Sequence, residues 1–187
     1  MKIYCDFDGV ITHSVKRIVD MYNEDFYYYK NFKKIDYNDI NTWSFDELTL
    51  ADKKTIDHYF NRSRFFNGLE FMPDAHKILS RLAVKHKIII VSMGYSPNLR
   101  GKKEWIELHL PFADFIACNY KQYSDKSHID MSDGIFIDDS SKNLFTSNSP
   151  YPILFGETYT WNENWTGTIK RTWDDIYQYV NEIEKRL

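Results

Sequence analysis

The run Ile88-Ile89-Ile90-Val91-Ser92 constrains the fold more than any other stretch of this chain. It has no polar residue before its last position, so a strand made from it must be covered on both faces. Parallel sheets wrapped by helices meet that demand, whereas a sheet with one wet face reads as alternation. Further short apolar runs recur at 2–6, 112–118, 134–137 and 152–155. Helical periodicities lie between and after them. Ala75, Ile78, Leu79 and Leu82 stripe a helix over about 74–85, Trp105, Ile106 and Leu108 one over 101–109, and Ile176, Tyr179, Val180 and Ile183 a closing helix over 173–187. Strands alternating with helices predict a parallel α/β sheet.

One segment stands outside the alternation. From Ser14 to about Tyr29 the pattern is helical, with Val15, Ile18, Val19, Tyr22 and Phe26 on one face and Ser14 able to cap. Residues 30–45 are mixed, with Tyr37, Ile40, Trp43 and Phe45 as anchors. Thr49 followed by Asp52 reads as a capping arrangement for a second helix over about 50–60. Arg64-Phe65-Phe66-Asn67-Gly68 reads as a loop with exposed aromatics. We therefore expect residues 14–70 to form a small helical cap inserted after the first strand, with 1–13 and 71–187 forming the core.

Composition excludes several classes. A net charge of −3 argues against a general polyanion binder, and so against a nucleic-acid partner. No apolar stretch approaches the roughly 20 residues that span a bilayer, so no membrane partner is expected. The chain enters a strand without a visible signal peptide, and Cys5 and Cys118 sit in apolar runs as buried thiols rather than a disulfide framework. Both features lead us to expect a cytoplasmic protein. The aromatic share of 17 % fills a core and also offers rings on which a planar ligand could stack.

The chemistry sits at the strand ends, where ligands of open α/β sheets bind. The first strand ends in Asp6-Phe7-Asp8-Gly9-Val10. With Gly9 free to take unusual dihedrals, both carboxylates can converge beyond the sheet, as a cation site or as a nucleophile beside an acid/base. The 88–92 strand ends in Ser92-Met93-Gly94, the 134–137 strand in Asp138-Asp139, and Lys126 stands shortly before the latter. Carboxylates, a hydroxyl and an ammonium on one rim suit phosphoryl transfer through an aspartyl-phosphate. One carboxylate attacks, oxygen ligands hold Mg²⁺, and hydroxyl, backbone N–H groups and lysine hold the phosphate.

This order of residues resembles the haloacid dehalogenase (HAD) superfamily of phosphatases. Its four motifs stand here as Asp6-Phe7-Asp8-Gly9-Val10, Ser92, Lys126 and Ile137-Asp138-Asp139. The resemblance implies a three-layer α/β/α core of HAD-like (Rossmannoid) type. It also implies Asp6 as nucleophile and Asp8 as general acid/base. Ser92, Met93, Gly94 and Lys126 would surround the phosphate. Mg²⁺ would be held by the Asp6 carboxylate, the Asp8 backbone carbonyl and Asp138, with Asp139 acting through water or as support. Within that superfamily the chain is similar to 5′-nucleotidases of the 5′(3′)-deoxyribonucleotidase type. The carrying residues are Phe65-Phe66-Asn67-Gly68-Leu69 with Met72-Pro73, Lys103-x-Trp105 with His109-Leu110, Asp125-Lys126, and Asn143 after the acidic pair. That likeness implies a nucleoside monophosphate whose base is held by cap aromatics, for which Trp43, Phe45, Phe65 and Phe66 are the candidates, although each taken singly reads first as cap core and only one or two are expected to touch substrate. The chain departs from the family in Ser92-Met93-Gly94-Tyr95-Ser96 after the second motif, and in Ser140-Ser141-Lys142 where an arginine is usual.

Blander readings stand beside these. Lys121 rivals Lys126, Lys102 and Lys103 read as the solvated face of a helix, and His13 as a loop or hinge residue. Trp161 and Trp165 lie in a polar loop with no functional case. The expected function is Mg²⁺-dependent hydrolysis of a small-molecule phosphate ester, a (deoxy)nucleoside 5′-monophosphate first. The alternatives are another small phosphate, a nucleic-acid end, or a binding protein that keeps the fold without turnover.

Overall fold

A computed structural model describes residues 1–186. Strands β1 (Lys2–Cys5), β2 (Lys87–Gly94), β3 (Asp114–Asn119), β4 (Gly134–Asp138), β5 (Tyr151–Phe155) and β6 (Thr168–Lys170) form one sheet in the order β3-β2-β1-β4-β5-β6. Every neighbouring pair is parallel. Helices α1 (Ser14–Phe26), α2 (Lys53–Tyr59), α3 (Ser63–Asn67), α4 (Ala75–Leu82), α5 (Ser96–His109), α6 (Ser141–Thr146) and α7 (Trp173–Glu184) complete the chain. The architecture is thus the expected parallel α/β sheet. No helix among the described residues is long and apolar enough to cross a membrane.

Period-2 alternation explains the layers. Ile3, Cys5, Ile88, Ile90, Ile135, Ile137, Ile153 and Phe155 face one apolar cluster with residues of α4, α5 and α7. Tyr4, Ile89, Val91, Phe136 and Leu154 face the other, with Leu144 of α6, Met131 and Cys118. Each isoleucine so buried contributes roughly 2 kcal/mol, which is why the unbroken run of β2 belongs inside the sheet. Cys5 and Cys118 are free and buried, as expected.

Register places the rim. Cys5 of β1 lies between Ile90 of β2 and Ile137 of β4, so the residues that follow these strands emerge side by side. The strand order also reverses at β1, the topological position where such sheets bind ligands.

The segment 14–70 leaves and returns through paired linkers. His13 N–H donates to the Glu70 carbonyl at 2.9 Å and Met72 N–H to the Ile11 carbonyl at 2.8 Å. Its buried residues Ile40, Phe45, Leu48, Ile56, Tyr59 and Phe65 belong to the same apolar cluster as one sheet face.

Local readings needed several corrections. The stretch 63–67 is helix α3 rather than loop, and Phe65 is fully buried, not exposed. Phe66 lies so close over Gly101 of α5 that a Cβ there would stand 2.2 Å from its ring. The cap of α2 is Asp52 itself, which accepts from Thr55 N–H at 2.8 Å; Thr49 takes no part. Helix α5 begins at Ser96, earlier than its apolar stripe suggested, because Pro97 is tolerated in a first turn. Helix α1 ends at Phe26, short of Tyr29, and Ser14 does not cap it: the cap position falls on His13, which makes no side-chain cap, and the Ser14 hydroxyl donates to Asp8 instead. Strand β6 was not anticipated, having one apolar residue, Ile169, at the sheet edge. The expected last residue of the closing helix, Leu187, lies outside the described residues.

Candidate active site

The turn after β1 is built around Phe7, whose carbonyl accepts from Ile11 N–H, Thr12 N–H and the Thr12 hydroxyl at 2.9–3.2 Å. Gly9 takes φ +70°, and a Cβ there would meet Asp139 Oδ2 at 2.8 Å. Glycine is therefore needed twice, for the left-handed turn and for the approach of Asp139. That turn aims Asp6 and Asp8 into the rim.

Two buried lysines divide the acids. Lys126, 1 % exposed, donates to Asp6 Oδ1 at 2.5 Å and to Asp138 Oδ2 at 2.6 Å. Its rival Lys121 is exposed. Lys102, also 1 % exposed, contacts the Asp8 carboxylate and donates to Ser92 Oγ at 2.8 Å and the Met93 carbonyl at 3.0 Å. The expectation of a solvated Lys102 is thus corrected, while Lys103 is indeed solvent-facing. Lys102 shares the buried face of α5 with Leu99, Trp105 and Ile106. Spacings of three and four residues put it there, so the periodicity itself carried the missed signal.

The remaining partners are specific. Asp8 Oδ1 accepts from the Ser14 hydroxyl at 2.6 Å. Asp138 Oδ1 accepts from Ser140 N–H at 2.8 Å, and Asn143 Nδ2 bridges both Asp138 oxygens at 3.1 and 3.3 Å. Asp139 Oδ2 accepts from Trp161 Nε1–H at 3.1 Å. Ser14 and Trp161 were not expected here. Ser14 reads locally as a helix cap, and nothing local marks Trp161.

Asp6, Asp138 and Asp139 each offer a carboxylate oxygen, all within 4.8 Å of one another. Asp8 is outside this group because its carboxylate turns to Lys102 and Ser14, which leaves its backbone carbonyl as the atom to consider. Burial, partly offset by Lys126, pushes the Asp6 carboxyl up to about 6. Burial and then the charges of Asp138 and Asp6 push Asp139 well above the usual carboxylate range. Burial would lower Lys126, but Asp138 and Asp6 outweigh it and keep the ammonium charged. Four buried carboxylates against two buried ammonium groups make a cluster short of positive charge. An all-oxygen donor set with that deficit fits a hard divalent cation such as Mg²⁺.

Two adjoining cavities open from this rim. The smaller, about 250 Å³, is lined by Asp6, Asp8, Ser92, Met93, Lys126 and Asp139 among others. The larger, about 850 Å³, adds Gly94 and has rings on two walls: Trp43, Phe45 and Phe60 from the inserted segment, and Tyr95, Tyr120 and Tyr123 from the sheet side. Trp43 lines both. Phe65 and Phe66 line neither, being spent on packing. The loop carrying Trp43 and Phe45 is held by Glu47, whose carboxylate accepts from the N–H groups of Asn41 and Thr42 and from the Thr42 hydroxyl at 2.8–3.1 Å. Phe45 sits there at φ 57°, a conformation that costs a non-glycine residue about 1 kcal/mol or more.

A family model described as "5' nucleotidase, deoxy (Pyrimidine), cytosolic type C protein" matches residues 1–186. No curated protein matches the sequence. Similar solved structures include a HAD-superfamily hydrolase from Ehrlichia chaffeensis, at 14 % identity and TM-score 0.62 over 98 % of this chain and 97 % of that one. A HAD-superfamily hydrolase of subfamily IA from Geobacter sulfurreducens gives 10 % identity and TM-score 0.61 over 96 % and 95 %. A HAD hydrolase from Bacillus subtilis, determined bound to magnesium, gives 12 % identity and TM-score 0.60 over 96 % and 98 %. At such identities the likeness is one of fold.

Proposed function

Because this chain belongs to the 5′ nucleotidase, deoxy (pyrimidine), cytosolic type C family, and is therefore a HAD-superfamily phosphatase, we propose that it hydrolyses a (deoxy)nucleoside 5′-monophosphate through an aspartyl-phosphate. One observation carries this reading: the small acid- and lysine-lined cavity adjoins a larger one lined by aromatic rings, the two sharing Asp8, Trp43, Met93, Tyr120 and Ser124. A phosphate suits the first and a planar base the second. Segment 14–70 acts as a cap that supplies part of the second wall.

In the proposed reaction an Asp6 carboxylate oxygen attacks phosphorus, and the bond to the ester oxygen breaks. Asp8 gives its proton to that leaving oxygen. Asp8 then takes a proton from water, which attacks the aspartyl-phosphate, releases phosphate and restores Asp6. Ser14 and Lys102 donate to the Asp8 carboxylate and so hold it in place at the rim. Lys126, Ser92 and the backbone N–H groups of Met93 and Gly94 hold the phosphoryl oxygens as charge redistributes in a loose transition state. Asp6, Asp138, Asp139 and the Asp8 carbonyl would hold Mg²⁺, which when bound neutralises phosphoryl charge.

The test is a panel of phosphate esters assayed with Mg²⁺: nucleoside 5′- and 3′-monophosphates, sugar phosphates and a small aryl phosphate. Higher kcat/KM for 5′-nucleotides is expected. A preference for a ring-free ester would overturn the nucleotide assignment while leaving the phosphatase intact. For the intermediate, Asp8→Asn given an activated aryl phosphate should accumulate a phosphoryl adduct that mass spectrometry locates on Asp6.

A further inference from the structure

Trp161 lies in the β5–β6 connection, outside every motif that points to the chemistry. Its indole N–H donates to Asp139 Oδ2 at 3.1 Å, and the next residue, Asn162, donates from Nδ2 to the Asp139 carbonyl at 3.1 Å. The loop thus holds Asp139 by side chain and main chain together. The same loop grips the inserted segment. The Thr160 hydroxyl donates to the Asn41 carbonyl at 2.6 Å. The Trp161 ring stacks on Tyr159, with centroids 4.2 Å apart and planes 5° apart, and meets Trp43 edge-on at 5.7 Å.

Asp139 also differs from its neighbours. Asp6, Asp8 and Asp138 each contact a lysine ammonium, whereas the side-chain donor on Asp139 is the Trp161 indole. An indole N–H is a single donor with no acceptor capacity and no titration near neutral pH. It can fix one carboxylate oxygen while leaving the other free for a cation, as outer partners of metal ligands do.

We propose that Trp161 is a positioning residue. It aims Asp139 at the cation, and it makes that aim depend on the 41–43 stretch of the insert lying against the 159–162 loop. This role rests on the proposed metal site.

The experiment is calorimetric titration of Mg²⁺ into the substrate-free full chain, for wild type, Trp161→Phe and Thr160→Val. Trp161→Phe keeps a ring for Tyr159 and Trp43 but lacks the donor. It should bind Mg²⁺ about 10-fold or more weakly, with its melting temperature in the absence of Mg²⁺ unchanged. Thr160→Val leaves Trp161 and Asp139 intact and removes only the clasp to Asn41. It should weaken Mg²⁺ binding by a smaller factor, and it decides the matter if Trp161→Phe fails to fold. Wild-type-like binding, within twofold, in Trp161→Phe would overturn the positioning role. Weakening in Trp161→Phe alone would overturn the dependence on the insert. No Mg²⁺ binding by the wild-type chain would instead sink the metal site, and this role with it.

Discussion

The two sides of the site are each closed by one buried lysine, and the two lysines are not equivalent. Lys126 comes from a loop and bridges Asp6 and Asp138, two of the three acids that could hold a cation. Lys102 comes from the middle of α5 and joins Asp8 to Ser92 and the Met93 carbonyl. One ammonium therefore stands with the proposed nucleophile and metal-binding acids, the other with the proposed proton-transferring acid and the strand end proposed to hold phosphate. Equal burial with different partners divides the labour. Removing either leaves a buried carboxylate short of a counter-charge, but the consequences fall on different steps.

Four substitutions can break or sharpen that contrast. The largest effect is expected from Asp6→Asn, which keeps the shape and removes the proposed nucleophile. Turnover should fall by at least about 10⁴-fold with the fold retained by circular dichroism, and near-wild-type rates would end the nucleophile assignment. Lys126→Met should come next. It lowers kcat by about 10³-fold and, without Mg²⁺, destabilises the chain by roughly 3–5 kcal/mol because Asp6 and Asp138 lose their shared partner. Since the same acids are the proposed cation ligands, Mg²⁺ should restore much of that stability, which thermal denaturation with and without Mg²⁺ would read. Lys102→Met should lower kcat by about 10²-fold, and its stability should respond to Mg²⁺ no more than wild type does. A Mg²⁺ rescue equal to that of Lys126→Met would erase the distinction between the two sides. The smallest effect belongs to the ring wall. Trp43→Ala should raise KM for nucleotides about 10-fold, in keeping with the loss of one stacking ring, and leave a small aryl phosphate nearly unaffected. Equal shifts for both would remove the base-binding role.

Local signals account for most of what could be read in advance. The β2 run implied a sheet covered on both faces, and Gly9 implied a turn of unusual hand after β1. The acids Asp6, Asp8, Asp138 and Asp139 stood at strand ends whose adjacency followed from a parallel sheet. Phe65 and Phe66 pack as cap core, one of the two readings open to them, but their helix reads as an exposed loop because five residues with two adjacent rings show no period. Lys102 reads as solvated because a charged residue on an apolar stripe looks like an exception until its partner is known.

The sequence by itself determined the elements that depend on neighbours in the chain: the strands, the amphipathic helices, the glycine turn and the acids that end each strand. Tertiary structure alone decided which groups meet across the rim. Ser14 turned from a cap to Asp8, Lys102 reached Asp8 across 94 residues of sequence, and Trp161 joined Asp139 to the inserted segment. The physical reason is that periodicity and capping report which face of an element is buried. What lies opposite that face is set by packing between distant segments, where a buried charge or donor persists only if its counterpart arrives.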